Sequence, residues 1–132
     1  MVKIARKNYF TAGFILTHKN HFLMVLEAKK NRWSFPKGRK DDKDDDSLIT
    51  ACRELNEETN IVIQKDNKNI IDSVMYKKCI FYIYEFIETP KDICFAENVE
   101  IKDIKWIHRS KIKDYKLNYI TELYFKFYDK LL

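Results

Sequence analysis

Glu54, Glu57 and Glu58 are the residues of this sequence best suited to chemistry, because their type and spacing could hold a metal ion. On a helix, positions i, i+3 and i+4 share one surface, so three carboxylates crowd together and repel. Arg53 precedes Glu57 by one helical turn and offers one ion pair, which leaves negative charge uncompensated. A hard divalent cation binds oxygen ligands of this kind and relieves the repulsion. A glutamate cluster on its own is more often a solvated helix face, so the surrounding residues have to decide.

Those surroundings read first as a helix. Leu48, Ala51, Cys52, Leu55 and Thr59 fall on one stripe at about 100° per residue, which predicts a helix over residues 47–59 with Cys52 packed in the core. Residues 9–18 and 21–27, rich in aromatic and β-branched types around Lys19-Asn20, read as an antiparallel pair of strands. Residues 33–35 form a short segment interrupted by Pro36. Residues 37–46, with five aspartates, read as a loop. Further strands are expected at 61–64, 79–88 and 101–107, and an amphipathic helix at 118–131. This alternation predicts an α/β (α+β) fold, a mixed β-sheet sandwiched between helices, with residues 1–132 as a single domain.

Composition excludes several classes. Hydrophobic residues make up 45% and charged residues 34%, enough for one core beneath a solvated surface. No apolar run approaches the roughly 20 residues of a membrane-spanning helix, and no leader-like stretch follows the basic start, so a cytoplasmic protein without a membrane partner is expected. Cys52, Cys79 and Cys94 lack metal-like spacing and read as reduced thiols. The net charge of +5 favours anionic partners such as nucleotides or RNA, although Lys, Asn and Ile richness of the kind an AT-rich genome produces accounts for part of it. Nothing in the sequence sets the oligomeric state.

From Gly38 to Ile61 the chain resembles the Nudix box: a glycine, an acid, then Arg-Glu-hydrophobic-x-Glu-Glu-x-Gly-hydrophobic. Gly38, Arg53, Glu54, Leu55, Glu57, Glu58 and Ile61 match residue by residue. Ala12-Gly13-Phe14-Ile15-Leu16 is similar to the family's first core strand, and Trp33-Ser34-Phe35-Pro36-Lys37-Gly38 to the approach to its box. The resemblance implies a hydrolase cleaving a pyrophosphate bond with Mg²⁺ or Mn²⁺. It implies metal ligation by Glu54, Glu57, Glu58 and the Gly38 carbonyl, with Glu100 as a loop glutamate near the metals. Glu57 or Glu100 would accept the attacking water's proton, Arg53 would support the site, and Lys37 and Arg39 would hold phosphates.

Three departures qualify this pattern. An aspartate replaces the early glutamate, and Asp45 is expected in that role because it precedes Arg53 by the family's eight residues, with one extra residue between it and Gly38. Asn60 stands where the family ends its helix with glycine; asparagine is the next best tolerated residue at positive φ.

The box leaves the substrate open. The approach string resembles the catalytic domain of the mRNA decapping enzyme, with the diadenosine tetraphosphate hydrolases second, whose string carries proline where Phe35 stands. Capped RNA is therefore the favoured substrate and a dinucleoside polyphosphate or other nucleotide the alternative. A non-catalytic nucleotide- or RNA-binding module is the reading of another class, and retention of the three glutamates argues against it. Tyr76, Tyr82, Tyr84 and Phe86 read as core or sheet-face residues. Tyr119, Tyr124 and Tyr128 are expected to pack the last helix on the sheet, and His18, His21 and His108 to be solvated.

Overall fold

The structure is a computed structural model and describes residues 2–5, 7–90, 93 and 100–132; Cys94 lies outside the described residues. Its strands are β1 (Thr11–His18), β2 (His21–Glu27), β3 (Trp33–Ser34), β4 (Lys37–Arg39), β5 (Ile70–Tyr76), β6 (Cys79–Glu85) and β7 (Ile101–His108). The helices are α1 (Ser47–Thr59) and α2 (Tyr119–Leu123), the latter continuing as a wider π turn over Tyr124–Tyr128, with a 3₁₀ turn at Arg109–Asp114.

The strands form one mixed sheet, the architecture expected from the sequence. β1 runs parallel to β6 along residues 11–17, so its other edge is shared. β2 takes the far end through Thr17 and His18, and β4 takes the near end through Thr11, Ala12 and Gly13. β2 likewise gives one edge to β7 and the other to β1 and β3. β1 and β2 therefore splay apart after their turn, and residues 33–39 fill the wedge. This is why residues 37–39, read as loop from their polarity, form a strand: β1 offers them an unpaired backbone edge.

Alternation along the central strands divides the core. Phe14, Leu16, Ile80, Tyr82 and Tyr84 face α1 with Leu48, Ala51 and Leu55. Ile15, Phe81 and Ile83 face the other side with Phe22, Phe35, Tyr124 and Phe125. Tyr82 and Tyr84 are thus core, as expected. Tyr124 is buried, and Tyr128 is exposed on one side but stacks on Tyr124 and bonds Asp72 of β5, whereas Tyr119 is exposed; the helix expected over 118–131 stops being regular at Leu123. His18 is buried rather than solvated, with its ring nitrogens on the Phe86 carbonyl at 3.0 Å and the Thr89 hydroxyl at 2.9 Å.

Two further expectations fail locally. Residues 61–64 form no strand; their alternation reflects Ile61 and Ile63 dipping into the core without a strand partner. β5 was not expected, since an edge strand with mostly half-exposed residues carries little hydrophobic pattern.

The chain has two glycines, and both serve close approach. A Cβ at Gly13 would collide with the Pro36 carbonyl, and one at Gly38 with the Glu54 carboxylate. Left-handed conformations fall instead to Lys19, Asn20, Asn31, Asn60, Lys77, Lys78 and Lys130. Asn60 is the C-cap of α1 at φ 64°, as expected for its place at the helix end.

Candidate active site

The N-terminus of α1 is set by Asp46, whose carboxylate accepts from the Ile49 amide at 2.9 Å. Ser47 then joins the Tyr82 hydroxyl at 2.5 Å, and Thr50 joins the Tyr9 hydroxyl at 2.8 Å. These bonds fix the rotation of the helix about its axis, and so decide where its glutamates point.

They point at β4. The Lys37 amide donates to Glu58 Oε1 at 3.1 Å, the Glu54 carboxylate lies against Gly38, and Arg53 donates to the Arg39 carbonyl at 3.0 Å. Three successive residues of the strand thus meet three residues of the helix. Carboxylate oxygens of Glu54, Glu58 and Glu100 lie within 4.8 Å of one another. Glu100 is held near by its backbone carbonyl, which accepts from the Ala28 amide at 2.9 Å. Glu57 is outside this group: its side chain is 57% exposed and lies 3.4 Å from Arg53. The helix glutamates therefore do not all share one wet surface. Glu54 and Glu58 are buried under β4, and only Glu57 faces water.

Burial has an electrostatic consequence. The Glu58 carboxyl is pushed up to about 9, first by burial and then by the Glu54 charge, with Lys37 opposing. Glu54 is also raised, by burial and then by Glu57. Such a set of close, buried carboxylates repels internally and fits a hard divalent cation, which supplies positive charge to oxygen donors.

Arg53 is anchored by Asp44, not by Asp45. Its Nε donates to Asp44 Oδ1 at 3.2 Å and its terminal nitrogen to Oδ2 at 2.7 Å, while Asp45 is exposed. Burial is the largest influence on Asp44 and opposes its ionisation, but the bonds from Arg53, the Asp41 amide and Thr50 together hold the carboxyl below its usual range. The extra residue of the box lies between this acid and Arg53, so counting from Gly38 would have found it. Cys52 is half-buried with its thiol raised to about 11 by burial and then by Asp46, which leaves no thiolate at neutral pH.

The carboxylates of Glu54, Glu58 and Glu100 border a cleft of about 510 Å³ that is also lined by Lys29, Lys30, Lys37 and Arg39. Glu27, which sequence reading took only as the end of a strand, also lines it. It sits 3.7 Å from the Lys37 ammonium and accepts from the side-chain amide of Asn118 at 3.3 Å. Its place at the inward end of β2 was the available signal.

A family model of the NUDIX domain matches residues 8–131. The chain belongs to the Nudix family. Among relatives it is 28% identical over 91 residues to a "Putative mRNA-decapping protein" of Acanthamoeba polyphaga mimivirus, covering 59% of this chain and 25% of that one. The Nudix chain thus spans about a quarter of that curated relative's length. Among solved structures it is similar to a C. elegans Ap4A hydrolase binary complex, with TM-score 0.59, 25% identity and coverage of 80% and 86% of the two chains. A bifunctional NMN adenylyltransferase/ADP ribose pyrophosphatase of Francisella tularensis, complexed with AMP and a manganese ion, shares the fold at TM-score 0.67 and 22% identity, over 96% of this chain and 43% of that one. Among the described residues, no helix is long and apolar enough to cross a membrane.

Proposed function

We propose that this Nudix protein hydrolyses the pyrophosphate linkage of the 5′ cap of RNA, releasing a methylated nucleoside diphosphate. The observation that carries it is the mixed lining of one cleft, which brings Glu54, Glu58 and Glu100 together with Lys29, Lys30, Lys37 and Arg39. Cations so arranged suit a substrate with several phosphates, Arg as a fork and Lys as a point charge. The likeness to the mimivirus decapping protein supports a cap over a free nucleotide. Phe35, the residue that favours decapping in the approach string, is wholly buried against Phe81, Tyr124 and Phe125. It supports the reading through the packing of the wedge, not through contact with substrate.

In this reading Glu54 and Glu58 hold Mg²⁺ or Mn²⁺ together with Glu100, and the Gly38 carbonyl assists. When bound, the cation stabilises charge developing on phosphate oxygens and lowers the pKa of coordinated water. Glu57 serves by joining the metal set from its exposed position. Of the two candidate proton acceptors the reading favours Glu100, whose carboxylate lines the cleft while that of Glu57 lies against Arg53. The water's proton passes to a Glu100 carboxylate oxygen, and Lys37 and Arg39 hold the phosphates.

The test compares capped RNAs of increasing length with free cap dinucleotide and diadenosine tetraphosphate, each with Mg²⁺ and Mn²⁺, at two salt concentrations. Capped RNA should react fastest, and its advantage should grow with length and shrink with salt, because each phosphate contact releases counterions. Fast cleavage of diadenosine tetraphosphate with no dependence on RNA length would replace decapping with the dinucleoside polyphosphate reading, which the C. elegans likeness favours.

A further inference from the structure

We propose that the recess beside the cleft is a binding track for single-stranded RNA, with the Phe10 ring as its stacking platform and Lys77 and Lys78 contacting phosphates. It rests on the capped-RNA reading for the substrate it serves, since a capped RNA has a body to place next to the cleft.

The recess has a volume of about 580 Å³ and is lined by Phe10, Lys40 and Lys77, with Ile120 among its apolar contributors. It shares Thr11, Lys37 and Arg39 with the catalytic cleft, so a ligand can run from one into the other without leaving the surface. Its lining holds cations and no carboxylate. Phe10 is 65% exposed although it abuts the buried start of β1, and the Lys78 ammonium stands 4.8 Å from its ring centroid. Backbone bonds fix the main chain that carries the ring: the Phe10 amide donates to the Lys78 carbonyl at 2.8 Å, and the Lys40 amide to the Phe10 carbonyl at 2.9 Å.

The hairpin beside it carries the second observation. Lys77 and Lys78 form the two-residue turn between β5 and β6, at φ 51° and 62°. This turn prefers Asn-Gly, because side chains with a Cβ resist left-handed backbone. Two lysines thus occupy a turn whose local preference is against them, beside a recess lined by other cations. An exposed aromatic face with cations around it is the combination single-stranded nucleic acid uses: bases stack and the backbone follows the charges. An acidic peptide would use the cations and leave the ring idle.

The decisive variant is Lys77→Asn with Lys78→Gly, which removes both charges while installing the preferred turn, so the fold should melt no lower than wild type. Binding of a short fluorescent single-stranded RNA with a 5′-monophosphate, read by anisotropy across salt, needs no turnover. The double variant should bind about tenfold more weakly at low salt, with a salt slope shallower by about 1.4. Phe10→Ala should weaken binding on the order of tenfold with the slope unchanged, since stacking releases no counterions. Cleavage of cap dinucleotide should be the same in all three proteins. RNA binding or capped-RNA hydrolysis that neither variant changes overturns the track, even if decapping itself is confirmed. Loss of RNA binding in both variants, in a protein that leaves capped RNA intact, upholds the track and removes the decapping reading. Binding of polyglutamate, but not RNA, through the same lysines would assign the recess to an acidic protein and overturn the proposal.

Discussion

α1 and the C-terminal segment pack on opposite faces of the same sheet, both through apolar side chains, and their polar bonds do different things. α1 is regular along its length and fixed by polar bonds at both ends: the Asp46 cap, the Ser47–Tyr82 and Thr50–Tyr9 pairs, and the contacts of Arg53, Glu54 and Glu58 with β4. The C-terminal segment leaves α geometry after one short helix, and is held by ring packing of Tyr124 and Phe125 on Phe22 and Phe35, with the Arg109–Asp129 pair and the Tyr128–Asp72 bond at its rim rather than over the site. Apolar packing tolerates irregular backbone because it is not directional. Carboxylates that must meet within a few ångströms need directional bonds. The difference separates a face that stores stability from a face that fixes geometry.

The largest test removes the apolar anchor. Phe125→Ala should cost about 3–5 kcal/mol of stability, as ring deletions in a closed core do, while kcat per folded molecule stays near wild type. Denaturant melts paired with active-site titration read both quantities. A matching collapse of kcat would mean the two faces are not separable.

On the other face, Glu58→Gln should lower metal-dependent hydrolysis on the order of a hundredfold or more without unfolding the protein. Glu57→Gln should also lose most activity, yet leave the metal-free melting temperature unmoved, since its side chain is largely in water. Near-normal turnover in either at matched metal concentration would place the active site elsewhere.

Asp44→Ala should destabilise by about 2 kcal/mol, because it strips a partly exposed arginine of its buried partner, and should slow turnover about tenfold by freeing Arg53. Asp45→Ala should do neither. Equal effects of the two substitutions, seen in thermal melts and initial rates, would restore Asp45 to the supporting role.

The smallest effect is one of pH, measured in chelator. The Glu58 carboxyl is raised from 4.5 to about 9, so the folded state binds its proton more tightly than the unfolded chain. That stabilisation is complete below about pH 4.5 and is lost as pH rises through about 9. Asp44 is lowered and acts in the opposite sense, adding stability above 3.8 and losing it on acidification. Between about pH 5 and about pH 9 the metal-free protein should therefore lose several degrees of melting temperature, and Glu58→Gln should flatten that slope. A wild-type slope unchanged in the variant would show that Glu58 is not the buried proton carrier.

How much of this was legible in the sequence follows from the same contrast. α1 could be read to its exact ends, because a capped helix with one apolar stripe states its bounds in residue types, from Asp46 to Asn60. The strand at 21–27 was legible from its apolar run, while the one expected over 79–88 ends at Glu85. β4 was not, since Lys37, Gly38 and Arg39 pair only because β1 and β2 separate elsewhere. The glutamates were visible, but their division into buried Glu54 and Glu58 and exposed Glu57 needed the strand lying over the helix. Asp44 was hidden by counting from the wrong end of an acid-rich loop. The C-terminal helix was overread, because aromatic spacing alone cannot tell an α turn from a wider one.

The placement of the two glycines has a consequence for mutational tolerance. Gly13 and Gly38 guard space that even a methyl group would fill, so every replacement there meets backbone or a site carboxylate. The seven left-handed positions among the described residues carry lysine or asparagine; exchange among Lys, Asn and Gly there costs or returns about 1 kcal/mol apiece in backbone strain. Turns such as Lys19-Asn20 are therefore open to neutral drift, while the crossing of β1, β4 and α1 is closed to it. A random library of this chain should show its sharpest intolerance at two residues that contribute no side chain at all.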